Sequence, residues 1–420
     1  MANVEHEIAP LGENNNRPKD LDSNISEKSV GLRDECCIYK VSRRIRAAND
    51  EAYTPQLISI GPVHHGNKNL APMERQKERY YEKFFERTSE ETKKKFESYM
   101  EKEVQRIYRC YDIQFVFELE APKFKKIILR DAIFIVVLFL VKVAEHIIDE
   151  DDFLIRRLLL TVELPTDLML LENQLPFFVL EDLYYLAFGN TDRPFFLGLA
   201  RYFFSVCHYL SFKEKKVAHF TDLIRYHVVE NCPSISYPGL QNTKNATMLH
   251  EAGVKFRGKY SFRSVKFEKG VLEFPSICVT YETDITFRNL IAFEQYHYPN
   301  DAHFASYVQL LDSLIDTEED VDILVKEGII ENKLSSSAAL ANMINNVAVG
   351  IVNTSFVYGD IGWNLNNYYA NSWNRRMATL KHVYFNDLWR GTATVAAFIV
   401  VLLTLTQTLL AILDRAMPTK

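Results

Sequence analysis

The stretch TATVAAFIVVLLTLTQTLLAIL, residues Thr392–Leu413, decides the architecture of the chain, because it holds 22 consecutive residues without a charge. As a helix it would be about 33 Å long, and the hydrocarbon core of a bilayer is about 30 Å thick. Gln407 is its only costly side chain, since the threonines can bond back to their own helix carbonyls. Arg390 and Asp414 bound the run. We therefore predict one transmembrane helix over residues 392–413, followed by a short tail over 414–420.

The basic residues around this anchor predict its orientation. Four of them precede the span and two follow it: Arg375, Arg376, Lys381, Arg390, and then Arg415 and Lys420. The positive-inside rule then places the main domain in the cytosol, held in the plasma membrane or an endomembrane. A buried helix at the end of a soluble domain is the alternative, but uninterrupted apolar helices of this length are uncommon in soluble cores.

The residues before the anchor have the composition of a mainly α-helical protein. Of the 420 residues 47% are hydrophobic, which is enough for a large core, and only 15 are glycine. A large β-rich protein would need more glycine for its tight turns. We predict one large globular domain over residues 34–390, mainly α with a small antiparallel β element. The polar segment 1–33 has no apolar run, which predicts disorder and argues against a signal peptide.

The net charge and the cysteine spacing argue against a nucleic-acid-binding protein and against a metal site built from cysteines. The net charge of -6 argues against a nucleic-acid partner, which would need a basic face to displace counterions from phosphate. The six cysteines include no C-x-x-C pair, so we predict no metal site and, in a cytosolic domain, reduced thiols.

Helical spacing dominates the pass along the chain. Pro72 opens a helix in which Met73 and Tyr80 share an apolar face while Glu74 and Lys77 take the other faces. Further helices are predicted over 90–118, 123–148, 164–189, 195–210, 316–328 and 363–383. Within the second of these, the short apolar run 132–141 reads as a buried core helix.

Two regions depart from this helical pattern. Within Ser261–Thr280 every second residue is apolar in three short runs, which are separated by a turn at Lys269-Gly270 and a break at Pro275. This pattern predicts a meander of three strands. The stretch 231–247, NCPSISYPGLQNTKNAT, is the best candidate for an internal linker.

Three motifs resemble catalytic or binding sites without completing them. The string Gly253–Tyr260 fits G-x-x-x-x-G-K, but its last position lacks the Ser or Thr that would hold magnesium. Glu294 and His297 form a single Glu-x-x-His, whereas a di-iron site needs two. His64 and His65 lie in an extended segment, where neighbouring side chains point in opposite directions, so one buried, hydrogen-bonded imidazole is expected. We assign no catalytic residue and no cofactor.

Two acid-amide strings stand inside apolar runs. They are Glu172-Asn173-Gln174 in LMLLENQLPFFVL and Glu294-Gln295 in NLIAFEQY. Polar side chains in such places need buried partners, so we predict hydrogen-bonded junctions instead of catalytic acids. If the chain has a polar functional pocket, its candidate residues are His64, His65, Glu172, Gln174, Glu294 and Gln295.

At these strings the sequence resembles the plant "domain of unknown function 247" family. The matching strings are Cys36–Val41, Tyr53–Pro55, Ser59–Gly66, Met73-Glu74 with Lys77, Asp167–Leu180, Glu251–Phe256, Phe287–Gln295, and finally Tyr384-Phe385, Trp389 and Gln407-Thr408. The resemblance implies a plant protein with a C-terminal anchor and brings no enzymatic activity to transfer. Some members are associated with self-incompatibility in grasses, which implies recognition.

The chain departs from the family pattern in two places. Ser42 stands where the family usually has proline, and Leu129–Ile135 replaces a string that usually reads Leu-Asp-Gly-Cys-Phe-Ile. The function we predict is a membrane-tethered interaction or signalling protein with unknown protein partners. An enzyme using His64, His65 or Glu294 in a pocket, and a structural membrane protein without signalling, remain the alternatives.

Overall fold

The computed structural model describes residues 35–112, 119–143, 161–189, 195–205, 216–229, 243–259, 265–352, 356–384 and 388–416, together with Phe115 and Arg157. These residues form sixteen α-helices. They are α1 Arg43–Arg46, α2 Ala71–Glu86, α3 Glu90–Arg109, α4 Ala121–Val143, α5 Glu163–Leu168, α6 Phe177–Phe188, α7 Phe196–Phe203, α8 Phe220–Val229, α9 Ala246–Glu251, α10 Tyr281–His297, α11 His303–Leu314, α12 Glu318–Lys326, α13 Ser337–Ala348, α14 Gly359–Ala370, α15 Ser372–Tyr384 and α16 Leu388–Ala416. The predicted mainly α fold is confirmed.

The first half of the described chain is built around α4. This helix is buried on nearly all sides, with Ile128, Phe134 and Leu138 wholly inaccessible, and α2, α3, α6 and α7 pack around it. Its interior position explains why its apolar residues show no single face. The prediction that residues 132–141 belong to a core helix is confirmed.

The second half has its own apolar core. Helices α10 to α14 and the strands supply it, and α8 connects the two halves, with Phe220 in the first core and Val229 in the second. The predicted start of α12 is confirmed, because Thr317 and Asp320 form a reciprocal capping box. Gly328, two residues after the helix, has a φ of 73°, a conformation that glycine adopts without a steric penalty.

The sheets differ from the predicted meander. Strand β2 (Lys266–Glu268) pairs with β3 (Val271–Pro275) in an antiparallel hairpin through the predicted turn at Lys269-Gly270. Strand β1 (Lys255–Lys259), which the sequence analysis missed, pairs in parallel with β3. The third predicted strand, β4 (Ile277–Val279), leaves this sheet and pairs in parallel with β5 (Ile330–Asn332). Alternation identified the strands, but it carries no information on non-local pairing.

Two predicted helices are broken, and the helices expected over 90–118 and 195–210 end earlier, at Arg109 and Phe203. The helix expected over 164–189 is interrupted between Leu168 and Phe177, and the helix expected over 363–383 is interrupted at Asn371. The first break is made by the string Glu172-Asn173-Gln174. Apolar spacing continues through both breaks, so the pattern alone predicted continuous helices.

Helix α16 stands apart from both cores. Its span Thr392–Leu413 is long and apolar enough to cross a membrane, and none of it is buried. The predicted segments 1–33 and 231–242 lie outside the described residues. Helix α9 begins at Ala246, with Asn245 as its cap, so the end of the predicted linker is helical.

Candidate functional site

The string Glu172-Asn173-Gln174 forms a compact turn after α5. The Gln174 side-chain amide donates to the carbonyls of Leu168 and Leu170 at 2.7 and 2.8 Å, and the Asn173 amide donates to that of Asp167 at 2.9 Å. The carbonyls of Asp167 and Leu170 also accept from the N–H groups of Leu170 and Asn173, at 3.3 and 3.0 Å. The side chains therefore supplement the backbone hydrogen bonds of the turn at the end of the helix.

Asp167 fixes the segment that leads into the adjacent histidines. One of its oxygens accepts from the Gln56 N–H at 3.0 Å, and the other accepts from those of Leu57 and Ile58 at 2.7 and 2.8 Å. Burial raises the pKa of Asp167 to about 6, although the three N–H donors oppose this shift. The sequence analysis missed this carboxylate because Asp167 reads as an ordinary polar residue of a helix.

Glu172 makes the junction nearest to the adjacent histidines. Its carboxylate accepts from the Val41 N–H at 2.7 Å and from the Arg46 guanidinium at 2.5 Å, and the Nε2 of His64 lies 3.6 Å away. We call Glu172, Val41, Arg46 and His64 the Glu172 junction. Burial raises the pKa of Glu172, while Arg46 opposes the shift. Burial and the charge of Arg46 lower the pKa of His64 to about 4, so the imidazole is neutral at pH 7.

His65 belongs to a different cluster, on α2 and α4. Its Nδ1 lies 3.4 Å from the carboxylate of Glu74, which pairs with Lys77 at 2.5 Å, and Lys77 in turn lies 2.7 Å from Asp131. Lys77 is wholly buried, which corrects its predicted place among the solvent-facing charges of α2. Burial opposes ionisation of Glu74, but His65, Lys77 and Arg130 together lower its pKa to about 2.

Glu294 lies in α10, in a second junction. One oxygen accepts from the Arg225 Nε at 2.8 Å and the Phe304 N–H at 3.1 Å, and the other accepts from the Ala305 N–H at 2.8 Å. We call these four residues the Glu294 junction. Arg225 and Glu294 are at most 1% exposed. Burial raises the pKa of Glu294, while Arg225 and the two N–H donors oppose the shift. The carboxylate thus caps the start of α11.

The structure brings the two acid-amide strings together without merging their carboxylates. Leu171, Ala292 and Phe293, the residues that precede the two glutamates, share a small apolar cluster. A hydrogen bond also links the two strings, because the side-chain oxygen of Asn289 on α10 accepts from the Leu171 N–H at 2.9 Å. The prediction of buried hydrogen-bonded junctions is confirmed for Glu172, Gln174 and Glu294. Gln295 is half-buried.

A shallow cleft opens beside the Glu172 turn, between α5 and the start of α10. It encloses about 150 Å³. Its lining residues are Glu51, Thr54, Gln56, Val162, Glu163, Thr166, Asp167, Leu170, Tyr281, Glu282 and Ile285. Tyr281 and Val162 are 69% and 58% exposed, and Glu51 and Glu163 stand exposed at the rim. The cleft therefore combines accessible apolar surface with negative charge.

The phosphate-loop-like string and the Glu-x-x-His string both form parts of the fold. After Gly253 the phosphate-loop-like string enters β1 at Lys255 instead of opening a helix. His297, the partner of Glu294 in the Glu-x-x-His string, is contacted by the hydroxyl of Tyr39 at 2.7 Å. Within the described ranges, no group of three or more His, Cys, Asp or Glu side chains is placed to hold a metal ion.

Comparison with known proteins identifies the family. The model of the plant family DUF247, described as a plant protein of unknown function, matches residues 38–403. The chain is 28% identical to the UPF0481 protein At3g47200 of Arabidopsis thaliana, over 91% of this chain and 87% of the relative. A second Arabidopsis UPF0481 protein, At3g02645, is 30% identical over 37% of this chain and 30% of its own length. No solved structure matches. The chain belongs to the plant DUF247 family.

Proposed function

We propose that this member of the DUF247 family is a membrane-tethered recognition protein, anchored by α16 with its folded domain in the cytosol. The observation that carries the proposal is the fully exposed apolar span Thr392–Leu413. Water contact along such a helix is costly, at about 0.8 kcal/mol for each CH₂ group that lipid would otherwise cover. Exposed apolar surface of this extent is typical of membrane or partner contact.

The two junctions support a scaffold role for the domain. The carboxylates of Glu172 and Glu294 already accept from backbone N–H groups and from Arg46 and Arg225. Their hydrogen-bonding capacity is used to hold distant segments in register, which favours a rigid recognition domain over an acid-base site. The proposed function therefore needs an accessible surface elsewhere.

The cleft beside the Glu172 turn is the surface we propose for partner recognition. Tyr281 offers an exposed aromatic side chain, the type most enriched at the energetic centres of interfaces. Glu51, Glu163 and Glu282 surround it with negative charge. The complementary occupant is a segment of a partner protein that carries Lys or Arg beside an apolar side chain.

Membrane extraction and sidedness test the anchor. The full chain expressed in plant cells is expected to resist alkaline extraction, while an arginine at the centre of the span, Leu403→Arg, releases it. The translocon scale assigns about 2.5–3.5 kcal/mol to such a charge. Val352→Arg adds the same charge at an exposed position of the domain and is the matched control. Equal extraction of the wild-type chain and Leu403→Arg would contradict the anchor.

Asn245 provides the readout of sidedness. It is the acceptor of a formal glycosylation sequon, Asn245-Ala246-Thr247, and it also caps α9 by accepting from the Met248 N–H at 3.0 Å. Its side-chain nitrogen donates to Asp316 at 3.1 Å. In sealed membranes we expect protease to digest the domain and Asn245 to carry no sugar. A protected, glycosylated domain would place it on the opposite side.

A photo-crosslinker at Tyr281 tests the recognition surface. A benzoylphenylalanine there, in full-length protein in plant membranes, is expected to form a protein adduct that the double reversal Glu51→Lys/Glu163→Lys removes. The same crosslinker at Tyr202, which is 54% exposed and outside the cleft lining, is the matched control. Adducts that form equally at both positions, or survive the charge reversal, would contradict recognition through this cleft.

A further inference from the structure

Helix α15 presents an apolar stripe that the folded domain does not cover. Trp373, Met377 and Leu380 are 68%, 46% and 42% exposed. They stand four and then three residues apart, so they lie on one side of the helix. Helix α15 ends four residues before α16 begins. An exposed apolar stripe of this kind indicates a surface that contacts a membrane or another molecule.

The opposite side of α15 faces the domain. Ala378, 7% exposed, is its one buried residue among 372–380, and its Cβ packs against Gly253 after α9. At 100° per residue, Ala378 lies about 130° from the centre of the stripe. The stripe therefore points away from the domain.

Two adjacent arginines differ in their relation to this stripe. By the same register Arg376 lies about 70° from the centre of the stripe, while Arg375 lies about 170° away. The guanidinium of Arg375 is 5.4 Å from the centre of the Tyr369 ring on α14. Arg376 thus flanks the apolar side, as basic residues do on helices that lie in a bilayer interface.

We propose that α15 lies in the plane of the bilayer surface, with its apolar stripe among the lipids and Arg376 among anionic headgroups. The inference rests on the proposed function, because α16 brings α15 to the membrane. The occupant is an anionic lipid surface: the stripe is continuous in sequence with the membrane-spanning helix, and its flanking charge is positive. The domain is then held close to the membrane at a fixed tilt instead of swinging on a flexible stalk.

The three tryptophans of the chain allow a direct test. In full-length protein reconstituted into vesicles of brominated phosphatidylcholine and phosphatidylserine, the variant Trp363→Phe/Trp389→Phe keeps only Trp373. We expect its fluorescence to be quenched by the brominated chains. The variant Trp363→Phe/Trp373→Phe keeps only Trp389, three residues before the span, and reports insertion of α16.

The two reporters separate failure of the inference from failure of the anchor. Quenching of Trp389 without quenching of Trp373 would overturn the interfacial helix and leave the anchor intact. Absence of quenching at both positions would overturn both proposals. Quenching of both tryptophans supports the inference.

Charge substitution sharpens the test. In the chain that keeps only Trp373, Arg376→Gln is expected to shift the ratio of quenched to unquenched populations by about fivefold in vesicles with phosphatidylserine, since one cation near an anionic surface contributes about 1 kcal/mol. Arg375→Gln removes the same charge from the far side of α15 and is expected to cause a smaller shift. Equal shifts for the two variants, or no dependence on phosphatidylserine, would overturn the role of Arg376.

Discussion

The Glu172 and Glu294 junctions look alike in the sequence but hold the fold in different ways. Each contains a glutamate inside an apolar run, an arginine partner and backbone N–H donors. Glu172 lies in a turn, and its partner Arg46 keeps 18% of its side chain exposed. Glu294 lies within α10, and its partner Arg225 is 1% exposed. The first junction therefore retains access to water, and the second does not.

This difference in exposure determines how much stability the protein loses when the glutamate that pairs with each arginine is removed. Water can solvate a partly exposed arginine after its partner is removed. Breaking the pair therefore costs mainly the free energy of the lost hydrogen bonds. A buried arginine has no such alternative, and its charge remains in a medium of low dielectric constant with fewer partners. For Arg225 these are the carbonyl oxygen of Asp301 at 2.6 Å and its half-exposed carboxylate at 3.4 Å. Two strings that look alike in the sequence can therefore contribute severalfold different amounts to the free energy of unfolding.

The largest expected effect is that of Glu294→Ala. The substitution leaves Arg225 charged and buried, and it leaves the N–H groups of Phe304 and Ala305 without their acceptor. Because Arg225 keeps its contacts with Asp301, we expect a fall at the lower end of the range for a broken buried pair, about 3 kcal/mol in the free energy of unfolding. Urea unfolding of the full chain in detergent micelles, followed by far-UV circular dichroism, measures this change.

The double variant Arg225→Met/Glu294→Met is the control for this prediction. It removes both charges and keeps apolar volume at the junction, so we expect it to be more stable than Glu294→Ala. A loss below about 1 kcal/mol for Glu294→Ala would show that water reaches Arg225, and the contrast between the junctions would fail.

Gly61→Ala tests the loop that connects the Glu172 junction to the cluster of Lys77 and Asp131. Gly61 has a φ of 73°, and a Cβ there would lie 2.6 Å from the carbonyl oxygen of Gln174. Its N–H also donates to Asp131 at 2.9 Å. We expect a loss of about 2–3 kcal/mol, since a left-handed residue with a side chain is strained before the contact is counted.

Gly66→Ala is the matched control in the same loop. Gly66 has a φ of 88°, but a Cβ on it would meet nothing within 4 Å. Its loss in the same urea experiment should therefore reflect backbone strain alone and be smaller. Equal losses for the two variants would mean that the loop moves away from Gln174 without cost.

The sequence predicted the features that depend on local pattern. The capping box of Thr317 and Asp320, the core helix around residues 132–141 and the hairpin turn at Lys269-Gly270 each rest on residues close together in the chain. The break after Leu168 could not be predicted, because apolar spacing continues through it and the side-chain oxygens of Asn173 and Gln174 are held by the N–H groups of Ile60 and Phe220, which are distant in the sequence. Burial of Lys77 was missed for the same reason, since its partner Asp131 lies on another helix.

A smaller effect is expected for Glu172→Gln. The amide oxygen can still accept from the Val41 N–H, but the ion pair with Arg46 is lost. Because Arg46 can turn to water, we expect the free energy of unfolding to fall by about 1.5 kcal/mol, less than for Glu294→Gln at the other junction. The same urea titration of the two variants gives the comparison. A larger loss for Glu172→Gln would reverse the proposed order of the junctions.

The smallest effect concerns acid stability, which we compare for His64 in the Glu172 junction and for His303 beside the Glu294 junction. Burial and Arg46 hold the pKa of His64 at about 4, below its ordinary value of 6.5, so the folded chain binds fewer protons than the unfolded chain between these pH values. The stability from His64 is thus fully present above pH 6.5 and is lost as the pH falls towards 4. Between pH 7 and 5.5 we expect His64→Gln to reduce the loss of unfolding free energy by about 1 kcal/mol.

His303→Gln is the counterpart beside the Glu294 junction. Burial lowers the pKa of His303, but the carboxylate of Asp301, 2.7 Å from its Nε2, opposes the shift, so the folded and unfolded chains differ less in bound protons. Urea unfolding at a series of pH values should therefore show a smaller change for His303→Gln than for His64→Gln. If the His64→Gln curve ran parallel to the wild-type curve, His64 would titrate as it does in water. The Glu172 junction would then be more open than its 2.5 Å contact between Arg46 and Glu172 indicates.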